Sequence, residues 1–359
     1  MGKQGADDGM TTDVLVIGGG VIGLATAIEL KLRSHSVTII VRDSNSGASH
    51  AAAGMLAPEA EQISPGAMLD LCLLSRQLYP DWTSKIEHLS GLSTGYWECG
   101  ILAPVYEQIS RNNAQWLDKQ AIFKHQPNLS PEVMGGWWYP EDGQVDNRAL
   151  TNALRASAIA LGVIIQDGVT VKNFIYQQNR VTGVCTTNNE VIDAEHYVLA
   201  TGAWSQELLP IPVHPKKGQM LSVRVTEKEL PLKQVLFGSD IYIVPRADGR
   251  IIIGATMENV GFTPYNTPAG MQLLLQRAIR LYPQLQNYPI EEFWWGFRPA
   301  TPDELPILGA SPYANLTLAT GHYRNGILLA PATANLVADI INNKTSSLLE
   351  HFHYSRFYS

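Results

Sequence analysis

The chain is poor in cysteine, with Cys72, Cys99 and Cys185 the only three among 359 residues. They are far apart and odd in number, and no CxxC pair or Cys/His cluster accompanies them. A disulfide framework and a thiolate metal site are therefore excluded, and a reducing compartment, the cytoplasm, is the expected setting. The nine histidines form no HExxH or other ligand pair, so no metal is expected. Charge is also sparse: 16% of residues are charged, with 26 Lys and Arg against 33 Asp and Glu, for a net of −7. That sign argues against non-specific binding to nucleic acid or to an anionic membrane. Long hydrophobic runs are missing too. The longest, over 14–17 and 21–28, is broken by glycines and too short to span a bilayer. The first ten residues, MGKQGADDGM, lack an apolar core; they read as a flexible leader and exclude a signal peptide. No internal repeat or low-complexity tract is present.

What remains is a chain with 45% hydrophobic residues, long enough for one large or two intimately joined domains. A short β-branched run at 13–17 stops at Gly18-Gly19-Gly20. Val21, Ile22, Leu24, Ala25, Ile28 and Leu30 then recur at helical spacing, and a second β-branched run follows at 37–41. Strand, glycine turn, helix and strand make a βαβ unit. Gly18-x-Gly20-x-x-Gly23 falls between its first strand and its helix. The first glycine permits the tight turn, the second lets a pyrophosphate approach the backbone, and the third lets helix and strand pack closely. The helix-start amides at Val21 and Ile22 then face the phosphates. The acid that ordinarily meets the ribose at the end of the second strand is missing. Val41 stands there, followed by Arg42 and Asp43. Arg42 is placed to stack on adenine or lie near the ribose, and Asp43 to substitute for the acid.

Downstream, a small-residue stretch at 47–58 precedes a helix over 66–88. Asp146 or Asn147 caps a helix over 149–160. Alternating apolar residues predict short strands at 163–165, 169–171, 181–184 and 191–192, closed by one at 197–200. Further strands at 221–225, 241–244, 251–253 and 316–319 surround a helix over 269–282, and the last helix covers 327–341. The pattern is an α/β fold: a Rossmann-like dinucleotide domain built from separated segments, plus a mixed-sheet α+β domain.

The motifs GGGVIGLATAIEL, SHAAAGMLAPEAE, LATGAWS, GFRPATPDELPILG and GHYRNGILLAPATA together resemble the D-amino-acid oxidase superfamily, and within it the glycine oxidases that serve thiamin biosynthesis. The resemblance runs from residue 13 to about 341. It implies an FAD-binding domain over 11–80, 146–212 and 296–345, and a substrate domain over 81–145 and 213–295. A tail is left at 346–359. It also implies that Ala48, Ser49, Ala53, Gly54 and Met55 thread past the flavin and pyrophosphate. Val171, or its neighbour Val169, would meet adenine, and Thr201 and Gly202 would close a turn near the dinucleotide. His322, Tyr323, Arg324, Asn325, Gly326, Ile327 and Leu328 would surround the flavin ring and substrate. Arg298 would grip the substrate carboxylate as a planar fork, a role suited to guanidinium geometry. Tyr242 would add a hydroxyl, and Met257 would line the pocket. Asp240 stands where better-known relatives carry histidine. Family members that hold flavin covalently use a cysteine in the carboxy-terminal third; the last cysteine here is Cys185, so FAD is expected to be non-covalent.

The activity so implied is FAD-dependent oxidation of glycine, and secondarily of small N-alkyl glycines and small D-amino acids. The products are the imine or glyoxylate, ammonia and hydrogen peroxide, with oxygen as acceptor. Positioning and electrostatics suffice for this chemistry, and no strong general base is required. The resemblance further implies a homotetramer and a handover to thiazole synthase. Two other readings stay open. One is a D-amino-acid or sarcosine-type oxidase or dehydrogenase. The other is a catalytically silent FAD-binding partner module, against which a carboxylate clamp at Arg298 would argue.

Overall fold

In the computed structural model, residues 12–44, 47–107, 115–227 and 230–358 are described. The leader at 1–10 lies outside them. The strand Val14–Ile17 is β-branched and buried on both faces, as a strand in the middle of a parallel sheet must be. It pairs in parallel with Val37–Val41 on one side and His196–Leu199 on the other, Val14 lying opposite both Val37 and His196. Six strands complete this sheet, in the order Ile307–Ala310, Leu316–Thr320, His196–Leu199, Val14–Ile17, Val37–Val41 and Ile164–Asp167. All pairs are parallel except the first, which is antiparallel. Separated stretches of chain thus interleave in one sheet, as the sequence pattern predicts.

Three helices cover one face. Val21–Leu32 and Gly326–Ile341 pack on each other, and both bury small apolar residues against the sheet. The third, Asn147–Ala160, is capped by Asp146, whose carboxylate accepts from the amides of Arg148 and Ala149. The helix expected at 66–88 runs over Ala67–Ser90 and carries Pro80 without ending there. Its buried face includes Leu71, Cys72, Tyr79 and Ile86. Pro80 occurs where the carbonyl of Arg76 would otherwise be bonded, so the exposed side of the helix absorbs the loss.

A second, eight-stranded sheet is mostly antiparallel. It runs Ile290–Ala300, His214–Arg224, Arg250–Gly254, Tyr242–Pro245, Val235–Phe237, Ile101–Val105, Gly135–Tyr139 and Trp116–Asp118. The strand expected at 221–225 begins much earlier, at His214, because it pairs along its whole length with Ile290–Ala300. One face of this sheet is closed by the helix Pro268–Leu281, through Leu274, Ala278 and Leu281. The other faces the first domain across a cluster built from Ala51, Ala53, Met220, Val244 and Trp294. In the tail, Phe352 is fully buried, and Tyr354 and Phe357 pack beside Leu209 and Ile307. No helix is long and apolar enough to cross a membrane among the described residues.

Candidate functional site: a dinucleotide cleft ending in two arginines

The cleft between the two sheets starts at the glycine turn. Gly18 adopts φ +118°, and a Cβ there would lie 2.3 Å from the carbonyl oxygen of Ala200. Only glycine serves at such a φ and spacing. Gly23 sits beneath the turn, where a Cβ would come 1.8 Å from the carbonyl oxygen of Gly18. Gly20 caps the first helix from an extended conformation. Beside it, Ser49 Oγ accepts from the Val21 amide at 2.9 Å, so that hydroxyl joins the helix start to the facing loop.

At one end of the cleft lie Val41, Arg42, Asp43, Val169, Val171, Thr201 and Gly202. The Arg42 guanidinium stacks over the Trp204 indole, 4.4 Å from its centroid, and its Nη1 is 3.7 Å from Glu207 Oε2. Glu207 is an acid at this end that the sequence did not single out. The middle is walled by Ala48, Ser49, Ala53, Gly54 and Met55. Their backbone is pinned from outside. Asn147 Nδ2 donates to the carbonyls of Ser49 and His50 at 2.8 and 2.9 Å, and Arg246 Nη2 donates to Ala53 at 2.7 Å. Burial pulls the Arg246 guanidinium down to about 10, against the opposing pull of Asp146. Gly54, at φ +73°, also accepts from the Val145 amide at 2.8 Å through its carbonyl.

The other end gathers Glu61, Met220, Tyr242, Arg298, Tyr323 and Arg324. Arg298 projects from the strand Ile290–Ala300 toward Gly218, and its Nη1 donates to the carbonyl of Thr256 at 3.2 Å. It forms no ion pair with a carboxylate among the described residues. The Tyr242 hydroxyl lies 3.2 Å from Met220 Sδ. Burial raises its pKa, while the nearby Arg298 and Arg324 pull it down. Arg324 is held by Glu61, Nη2 to Oε1 at 3.2 Å. Glu61 was not singled out from sequence, yet it is buried, and burial raises its pKa against the pull of Arg324 and Arg298. His322 is enclosed, with Nε2 3.1 Å from Thr333 Oγ1, and burial drives it down to about 3, so it is a neutral ring at ordinary pH.

Most of the residues selected from sequence line this one cleft. Four do not. Gly23 supports the turn from below, and Leu328 is fully buried among the helices. Asn325 caps the last helix and reaches Glu61 instead. Met257, 55% exposed, touches the cleft's lining through the Tyr323 hydroxyl, 3.5 Å from its sulfur. Asp240 is paired with Arg277 on the surface, Nε to Oδ2 at 2.7 Å, and does not line the cleft.

A glycine turn without side chains, a helix start, a backbone-walled middle and a stacking end together fit an elongated dinucleotide with a planar ring system. Cβ atoms at Gly18, Gly19 and Gly20 would each meet a wall of this cradle. The chain belongs to the family of FAD-dependent oxidoreductases whose model, DAO, matches residues 13–340. FAD is therefore its cofactor. The chain is 65% identical to the "Bifunctional protein ThiO/ThiG" of Trichormus variabilis, over 97% of this chain and 55% of that protein. It thus spans about half the length of such relatives. It is 35% identical to the glycine oxidase of Geobacillus kaustophilus, over 93% of this chain and 94% of that one. The crystal structure of glycine oxidase from the same organism superposes with a TM-score of 0.90 at 33% identity, covering 96% of this chain and 98% of the other.

Proposed function

We propose that this chain oxidises glycine, and less readily small N-alkyl glycines and small D-amino acids, with bound FAD and dioxygen as acceptor. When bound, FAD supplies the two-electron acceptor that no side chain provides. The observation that carries the reading is Arg298. It is a guanidinium at the two-arginine end of the cleft with no carboxylate partner among the described residues, bonded to the Thr256 carbonyl and to the hydroxyl of Tyr242. An arginine so placed is complementary to a carboxylate, which it can hold bidentately.

In this reading Arg298 and Tyr242 fix the substrate carboxylate, and the enclosing walls exclude water. Gly18, Gly20, Val21, Ile22 and Ser49 hold the pyrophosphate through backbone amides and the hydroxyl. Arg42, Asp43, Val41, Val171, Thr201 and Gly202 hold the adenosine. The backbone of Ala48, Ala53, Gly54 and Met55, with that of His322 to Ile327, holds the ring. His322 is neutral and enclosed, so it contributes shape and not charge. The helix Gly326–Ile341 presents its amino-terminal end to the cleft, where its dipole favours negative charge. The kinship with bifunctional ThiO/ThiG proteins supports a place in thiamin biosynthesis, with the imine passed to a thiazole synthase. The same reading places the chain in the cytoplasm as a homotetramer, which sedimentation would check.

The test is anaerobic titration of the purified yellow protein with glycine. Bleaching of the flavin band by glycine, and weaker bleaching by larger D-amino acids, is the expected result. A flavin bleached by D-alanine or D-proline but not by glycine would move the chain to the D-amino-acid oxidases. No bleaching by any of these would overturn the enzymatic reading.

A further inference from the structure

One end of the cleft carries two guanidinium groups, of Arg298 and of the partly exposed Arg324, yet only one is available. Glu61 faces Arg324 across 3.2 Å and is itself nearly enclosed. Its position is set by its neighbours and not by the ligand. The Glu61 amide donates to the carbonyl of Ala57 at 2.9 Å, and the preceding residue, Ala60, donates its amide to Asp142 Oδ2 at 2.8 Å. Asp142 is in turn fixed by Arg76 Nη1 at 2.6 Å. Arg324 cannot leave Glu61 cheaply, because a buried carboxylate stripped of its cation is strongly disfavoured. Arg298 has no carboxylate partner among the described residues; it donates to the Thr256 carbonyl and bonds the neutral hydroxyl of Tyr242. The two arginines and one glutamate therefore leave a single unmatched positive charge where the substrate carboxylate binds.

Resting on the glycine-oxidising function proposed above, we infer that Glu61 is a specificity-determining residue: by occupying Arg324 it restricts the site to ligands with one anionic group. A ligand with a second carboxylate would meet Glu61 as a like charge, its side chain only 10% exposed, and would find the second guanidinium already engaged. Glycine, sarcosine and small neutral D-amino acids have one carboxylate. Iminodiacetate and D-aspartate have two and are turned away. This is specificity through an opposing charge as well as through an attractive one.

The inference is tested by ligand binding, which does not depend on turnover. Acetate and malonate are titrated at pH 8 into the FAD-loaded protein, and the dissociation constants are read from the perturbed flavin spectrum. In Glu61→Gln, removing one like charge beside the bound ligand should raise the malonate-to-acetate affinity ratio by about tenfold. Glu61→Asp, which keeps the charge, should hold the wild-type ratio. Glu61→Ala repeats the test should the glutamine variant lose its flavin. In parallel, anaerobic bleaching by iminodiacetate relative to glycine should rise in Glu61→Gln and Glu61→Ala only. A ratio unchanged in both uncharged variants, or raised equally in Glu61→Asp, would overturn the role assigned to Glu61. Failure of the proposed function reads differently: wild-type flavin would not bleach with glycine, whatever the two binding ratios show.

Discussion

Replacing Gly218 by alanine adds one methyl group to a strand, and the structure says where its effect must appear. Gly218 does not occupy the left-handed region, so alanine fits its backbone. A Cβ there would stand 2.6 Å from Arg298 Nη1, 2.7 Å from Nη2 and 2.9 Å from Cζ. These atoms end a flexible side chain, whereas the strand beneath is locked by pairing with Ile290–Ala300. The guanidinium yields and the sheet does not. Ordinary contact begins at 3.4 Å, so Nη1 retreats by roughly 0.8 Å, the difference between 3.4 and 2.6. A clamp misplaced by about that much costs on the order of ten- to a hundredfold in kcat/KM. That is about 1.4–2.7 kcal/mol of transition-state binding. The assay is steady-state oxidation of glycine alongside the flavin-to-protein absorbance ratio and the urea midpoint. Flavin content and stability should match wild type while glycine oxidation falls. Wild-type kcat/KM would refute the placement of Arg298 at the substrate. Loss of flavin or of fold would refute the claim that the side chain, and not the strand, gives way.

Other changes have equally direct outcomes. Arg298→Ala should bind FAD normally but lose glycine-driven bleaching by about a hundredfold or more, since a charged fork and its hydrogen bonds vanish together; unchanged bleaching would remove Arg298 from the site. Gly23→Val should purify colourless or not at all, because a Cβ at 1.8 Å from the Gly18 carbonyl leaves the helix no place to pack; a yellow, stable variant would contradict this. For His322, the folded pKa of about 3 lies below the unfolded value, so its contribution to stability is present above the unfolded pKa and fades as pH falls toward 3. From pH 6.5 to 5 the loss is about 2 kcal/mol, taking the unfolded histidine near 6.5. Urea midpoints at these pH values should therefore fall further in wild type than in His322→Gln, and parallel falls would count against the buried neutral ring.

The βαβ unit was legible because its signal is local: strand, glycine turn and helix are contiguous, and Gly19 and Gly23 are fixed within the unit, by Val41 and by the Gly18 carbonyl, whereas Gly18 also abuts the distant Ala200. That Arg298 and Arg324 share one cleft was legible through a resemblance that the GFRP and GHYRNG motifs carry. Glu61 was not. It lies in a short polar turn that looks solvated. Its burial comes from Arg324, far along the chain, and from Asp142, which holds the Ala60 amide. Neither partner leaves a periodic trace. Glu207 escaped for the same reason, since only the fold brings it to Arg42. Met257 erred in the opposite direction: the motif suggested a pocket wall, whereas the backbone carries the side chain outward to 55% exposure. The early start of the strand at His214 shows tertiary pairing extending an element beyond its apolar run.

The interleaved order of the six-stranded sheet also sets a timetable for synthesis. Val14–Ile17, made long before its partner, needs His196–Leu199 as one of its two neighbours, and that strand needs Leu316–Thr320 as its own. The walls of the cleft are drawn from 17–22, 40–43, 47–49, 51–55, 169–171, 200–204, 207–208, 296–299, 322–324 and 326–327, with single residues between them. A growing chain that has passed residue 300 holds the glycine turn and the Arg298 strand but lacks the last helix, whose amino-terminal end closes the far wall. Such non-local closure is slow compared with local pairing. The nascent polypeptide therefore has no complete seat for its cofactor until the helix Gly326–Ile341 has emerged, which makes flavin capture late relative to the synthesis of the glycine turn.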